Sequence, residues 1–162
     1  MEHLQGRVAV ITGAASGLGL AMSNRFAQAG MKVVLADVEA GALDAAVGEL
    51  RAVGHDATGV VTDVADAEAV GHLAATAFDA HGAVHVLCNN AGVVKRARVW
   101  ELTLDDWRWV LGVDFWSVVY GLRRRRHRCP AGPGADLVSA KGLTDERSTT
   151  ASVPVLGAGV RG

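Results

Sequence analysis

Gly13, Gly17 and Gly19 stand between a short apolar run, Val8 to Ile11, and a stretch from Leu20 to Gly30 whose Leu20, Ala21, Phe26 and Ala27 can share one helical stripe. The run Val-Ala-Val-Ile fits a strand buried on both faces. A strand that feeds a helix through such a turn gathers free backbone N–H groups and the positive end of the helix dipole at one point. That point suits a pyrophosphate. Glycine is required where a Cβ would block the phosphate or hold the helix off the sheet. Glycine turns also arise from packing alone, so the next strand decides the reading. Lys32-Val-Val-Leu-Ala-Asp37 ends in a carboxylate 24 residues beyond Gly13, the spacing at which an acid meets the ribose hydroxyls of an adenine dinucleotide. The same carboxylate repels a 2′-phosphate, and no Lys or Arg lies in the turn or just after Asp37. The residues point to NAD rather than NADP.

The elements that position these groups alternate in type. Glu39 to Val53 fits an amphipathic helix through Leu43, Ala46, Val47 and Leu50, and Ala57 to Thr62 fits a third strand. Asp63 and Asp66 offer acidic groups to the start of a helix reaching about Ala80, where Val70, Leu73, Ala74, Ala77 and Phe78 share a face and His81-Gly82 ends it. Val84 to Cys88 is a fourth strand. Strands and helices in this alternation predict a parallel sheet with right-handed crossovers, in the order 3-2-1-4. Only Ala135–Ala140 could cover the edge left beside the fourth strand. Thr103-Leu-Asp-Asp106 is a capping box, and a helix over Leu104–Leu122 should follow. Its Trp107, Val110, Leu111, Phe115, Val118 and Leu122 recur at helical spacing and read as core or subunit contact.

Three ordered motifs carry a resemblance: Thr12-Gly-x-x-x-Gly-x-Gly19, Asp63-Val64, and Asn89-Asn-Ala-Gly92. The stretch from about residue 4 to 122 resembles the short-chain dehydrogenase/reductase family. The resemblance implies an α/β fold, a Rossmann-type doubly wound parallel sheet incomplete at its C-terminal half. It implies an oxidoreductase that moves hydride between NAD(H) and a small alcohol or carbonyl substrate. The cofactor turn falls to Thr12, Gly13, Ser16, Gly17, Leu18 and Gly19, with Asp37 at the ribose. Asp63 and Val64 border the adenine, with a simple helix cap as the less favoured alternative for Asp63. Asn90, Ala91 and Gly92 close the fourth strand beneath the cofactor. His85 stands where the family's strand usually carries an acid.

The catalytic half matches less. Asp114 occupies the place of the family's helix asparagine, with a carboxylate instead of an amide. Ser139, 25 residues further on, lies near the family's catalytic serine and could also be an ordinary surface serine. The family's Tyr-x-x-x-Lys is absent: Tyr120 is the only tyrosine, inside the predicted helix, with Arg124 four residues later. A phenol needs a neighbouring cation to act as a base near neutrality, so no catalytic role passes to Tyr120.

The chain divides at Leu122. Residues 1–122 hold 14 acidic and 8 basic side chains and all eight aromatics; residues 123–162 hold 3 acidic and 8 basic and all three prolines. The expectation is a nucleotide-binding domain over 1–122 and a basic, Pro/Gly/Ser-rich tail over 123–162, produced where a dehydrogenase reading frame was lost near Arg123. That leaves a chain impaired in catalysis and poorly soluble. The alternatives are a non-catalytic NAD-binding protein and, less favoured, a nucleic-acid binder acting through Arg123-Arg-Arg-Arg-His-Arg128. Cys88 and Cys129 form no disulfide framework and no metal motif, no run of about 18 apolar residues spans a membrane, and the N-terminus lacks the regions of a signal peptide. A cytoplasmic protein, and in the family a homo-oligomer, is expected.

Overall fold

The structure, a computed structural model, describes residues 4–125 and 137–138. Five parallel strands form one sheet in the order β3-β2-β1-β4-β5: β1 (Val8–Thr12), β2 (Lys32–Asp37), β3 (Ala57–Val61), β4 (Val86–Cys88) and β5 (Leu137–Val138). The first four follow the expected order, and the two-residue β5 comes from the stretch assigned to the open edge, with Leu87 opposite Leu137. Helices α1 (Gly17–Gln28), α2 (Ala40–Ala52) and α3 (Ala67–His81) connect them.

Alternation along the strands builds a core on each face of the sheet. Ala9, Ile11, Val33 and Leu35 face α1 and α2, where Ala27, Leu43, Val47 and Leu50 meet them. Val8, Val10, Val34 and Val60 face the other way onto Leu73 and Ala77 of α3. All five residues of β1 are buried, as its unbroken apolar run requires. Helix α1 starts at Gly17, three residues before the predicted Leu20, so Gly17 and Gly19 belong to its first turn. Ala21 is exposed and leaves the stripe to Leu20, Met22 and Phe26. In α3 the cap is Asp66, whose carboxylate accepts the Glu68 N–H; Gly82, at φ 75°, closes the other end.

The largest departure lies after β4. A short 3₁₀ turn (Val99–Glu101) precedes the Thr103–Asp106 capping box, which is formed as expected. The single predicted helix is instead α4 (Leu104–Leu111), a π-helical turn (Gly112–Trp116) and α5 (Ser117–Arg125). The inserted turn shifts the helical phase. Val113, Ser117 and Gly121 point inward. Trp107, Leu111, Phe115 and Leu122 remain 39%, 45%, 56% and 40% exposed, so they are not core. Small inward residues explain the swap: a Cβ on Gly121 would stand 2.8 Å from Asn89 Oδ1, so the helix lies close on the end of β4.

Candidate cofactor site

The turn after β1 is shaped by hydrogen bonds to the loop after β4. Thr12 Oγ1 accepts the backbone N–H groups of Asn90 (3.0 Å) and Ala91 (3.1 Å) and donates to the Cys88 carbonyl. Asn90 Nδ2 donates back to the Thr12 carbonyl at 2.9 Å and the Gly13 carbonyl at 3.3 Å. Gly13, at φ 65°, sits so close that its Cβ would stand 2.9 Å from Ala91 Cα. On Gly19 a Cβ would meet the Gly13 carbonyl oxygen at 2.0 Å. The two glycines are therefore demanded by the packing itself.

Gly17 differs. Its φ is 51°, and a Cβ there meets nothing within 4 Å, because the residue faces open space in the cleft. Ser16 precedes the helix without capping it by its side chain, and no acid stands in the first turn of α1. The helix N-terminus keeps its positive end uncompensated, which suits an anion. Leu18 is half-exposed on the same rim.

Asp37, at the end of β2, is held by both oxygens: Oδ2 accepts the Ala15 N–H at 2.9 Å and Oδ1 the Glu39 N–H at 3.1 Å. It fixes the glycine turn as well as facing the cleft, a role its spacing alone does not disclose. Asp63 accepts the Ala65 N–H at 2.9 Å in a tight turn and is not the α3 cap. Val64 is buried with Val70 and Val113.

Together these ends enclose a cleft of ≈ 380 Å³ lined by Gly13, Ser16–Gly19, Asp37, Asp63, Val64 and Asn90–Gly92. The structure thus brings together every sequence-predicted cofactor residue except Thr12, which shapes the turn from behind. Val38, Thr62, Val93, Trp109 and Val113 also line it, and the motifs do not point to them. Val38 and Thr62 adjoin Asp37 and Asp63 in sequence and were findable on that ground. Trp109 and Val113 carried no such signal, since the π turn sets their facing.

Asp114 lies in that π turn, and its Oδ1 accepts the Val93 N–H at 2.9 Å, tying the helix to the loop after Gly92. Ser139 lies outside the described residues. Tyr120 packs beside Val64, Val70 and Val113 and stacks on Trp116, with ring centroids 6.1 Å apart, and does not itself line the cleft. Cys88 is buried, which pushes its thiol up to about 11 and keeps it unreactive. His85 Nδ1 accepts the Val8 N–H at 3.0 Å across the entry of the sheet. Burial, and then the charge of Arg7, hold its imidazole below the usual histidine range, in the neutral form that this acceptor role needs.

A family model described as short chain dehydrogenase matches residues 7–129. The chain belongs to the short chain dehydrogenase family. The match extends past Leu122, further than the motifs alone reach. The 1-deoxy-11-beta-hydroxypentalenate dehydrogenase of Streptomyces arenae is 51% identical over 119 residues, covering 72% of this chain and 42% of that protein. A short-chain dehydrogenase/reductase from Burkholderia phymatum, solved in complex with NAD, superimposes with a TM-score of 0.77 at 46% identity, covering 80% of this chain and 46% of that one. A short chain dehydrogenase from Burkholderia cenocepacia, solved in complex with NADP, gives a TM-score of 0.79 at 31% identity, over 84% and 55% of the two chains. This chain spans less than half the length of the first two. The family accommodates either nicotinamide dinucleotide, and the cleft suits one: two glycines are excluded from bearing a Cβ by packing, and Gly17 leaves room for phosphate.

Proposed function

We propose that this chain is the cofactor-binding portion of an NAD(H)-dependent dehydrogenase acting on a small alcohol or carbonyl compound. A nicotinamide dinucleotide, when bound, supplies a hydride acceptor or donor. The chain's own residues do the holding. Backbone N–H groups at Gly17–Gly19 and the uncompensated end of α1 would hold the pyrophosphate, and Asp37 would accept from the adenosine ribose hydroxyls. Asn90 keeps the turn and the β4 loop in register. Asp114 fixes the Val93 loop through Oδ1 from the position of the family's catalytic asparagine.

The observation that favours NAD over NADP is the Asp37 carboxylate, oriented by two backbone N–H groups at the mouth of the cleft. Replacing it tests the reading. Asp37→Ala should weaken NADH binding about tenfold or more, from the loss of about 1.5–3 kcal/mol of charge-assisted hydrogen bonding, and should narrow the gap to NADPH. Unchanged NADH affinity overturns the assignment.

A second reading is favoured by one observation. Within these 162 residues no tyrosine is followed by lysine four positions on. We therefore place this chain as a dinucleotide binder without measurable turnover, its reading frame lost near Arg123, which the other two frames of the coding DNA can check by yielding Tyr-x-x-x-Lys or failing to. Among the described residues no helix is long and apolar enough to cross a membrane, and we assign the protein to the cytoplasm. The outward row Leu104, Trp107, Leu111, Phe115 and Leu122 supports self-association through α4–α5. Nucleic acid remains the less favoured partner, because residues 1–122 are acidic on balance.

A further inference from the structure

We propose that Trp109 is the aromatic wall of an adenine subsite at one end of the cleft. The inference rests on the dinucleotide reading above and adds to it a residue that none of the motifs reveals. Trp109 lies on α4 one helical turn before Val113, and both side chains line the cleft. Val113 is buried against Val64. A Cβ on the adjoining Gly112 would stand 3.3 Å from Ala65 Cβ. This part of the helix therefore lies over the loop at Asp63–Ala65, not over the glycine turn. The indole borders the end of the cleft with the apolar Val64, away from the backbone N–H groups that suit phosphate.

The chemistry of that corner is flat and apolar. Trp109 is 48% exposed, and it is the one aromatic side chain lining the cleft among the described residues. Trp107, two positions earlier, projects from a different side of α4 and does not line it. An indole face beside a buried valine offers a purine stacking and desolvation together, and a base gains from stacking whatever its hydrogen-bonding edge. The wall recognises the adenine ring, whereas Asp37 discriminates at the ribose, so the two contributions are separable.

The test is titration of the full 162-residue chain with AMP and with NADH, followed by calorimetry and, for AMP, by tryptophan fluorescence. AMP carries the adenine and no nicotinamide, and a purine quenches an indole on contact. Trp109→Ala should weaken AMP and NADH binding alike, about tenfold, and remove the AMP-dependent quenching. Trp109→Phe retains a ring and should lose only about two- to threefold in affinity, with an unchanged melting transition to show that the site is folded. Trp107→Ala should leave AMP affinity as it is. Equal AMP affinity in wild type and Trp109→Ala overturns the proposal while leaving the cofactor site standing. So does a Trp109→Ala loss confined to NADH, which would put the indole at the other end. A wild-type chain that binds neither ligand overturns the dinucleotide reading and this inference with it.

Discussion

At the glycine turn, close contacts are satisfied within the chain, whereas the α4–α5 helix turns much of its apolar surface outward. Thr12, Gly13 and Asn90 interlock through backbone and side-chain hydrogen bonds, and Gly19 packs onto the Gly13 carbonyl, in a space where an added methyl group collides with main chain. On α4–α5 the inward positions are small, while Trp107, Leu111, Phe115 and Leu122 face out. A helix apolar on both sides is complete only when something covers its outer face. The glycine turn is thus preorganised by local geometry, while α4–α5 carries large apolar side chains that the rest of the described residues leave exposed.

The two glycines of the turn give the largest expected effects and separate folding from binding. Gly19→Ala forces a Cβ to 2.0 Å from a backbone oxygen, so it should cost about 3 kcal/mol, the upper end of overpacking penalties, and lower the melting temperature along with NADH affinity. Gly17→Ala meets open space and only a left-handed φ of 51°. It should cost about 1–2 kcal/mol of stability and yet lose NADH binding, because its methyl group enters the cleft. A Gly17→Ala chain with wild-type affinity would show that the phosphates do not lie there.

Charge placed on the outer face of α4–α5 should keep copies of the chain apart. Leu111→Glu combined with Phe115→Glu should leave the NADH affinity intact and raise the soluble, monomeric fraction in size-exclusion chromatography with light scattering. Both residues are exposed and neither lines the cleft. An unchanged oligomer or aggregate would place the association elsewhere.

The smallest effect concerns His85, whose Nδ1 accepts the Val8 N–H at the entry of the sheet. Its folded-state pKa lies below the ordinary 6.5 through burial and then the Arg7 charge, so the unfolded chain takes up the proton first as pH falls. Its contribution to stability is complete above about 6.5 and is lost as pH drops through the lowered folded value. The loss should not exceed about 1 kcal/mol, the worth of the one bond from Val8 N–H. His85→Asn, which can accept the same N–H, should flatten denaturant midpoints between pH 7 and 5; an unchanged slope would remove His85 from the account.

The fold was legible where a residue's type and its place in the repeat said the same thing. Val8–Ile11, Lys32–Asp37 and the α3 stripe of Val70, Leu73 and Ala77 had both the period and the turn residues, and each stands in the structure within a residue or two of its expected bounds. The glycines, Asp37 and Asn90–Gly92 converge on one cleft as their spacing implied. Thr12 was legible as part of the turn but not as the acceptor of two N–H groups from a loop nearly 80 residues away, because that contact exists only once β4 lies beside β1. The phase of α4–α5 was illegible for a different reason. A π turn changes the repeat without a proline or a glycine pair to mark it, so the row of large apolar residues read as core or subunit contact, and the structure turns it outward while Val113 and Gly121 pack inward. His85, unexplained as a departure from the family's acid, is explained by its ring nitrogen accepting the Val8 N–H.

On the proposed reading, the stitched glycine turn and Asp37 make this chain a receptor for NAD(H). Side-by-side calorimetric titration of the purified 162-residue chain with NADH and NADPH in one buffer decides it. Single-site binding of NADH, at least about tenfold tighter than that of NADPH, is the predicted result. Binding of neither dinucleotide, or tighter binding of NADPH, contradicts it.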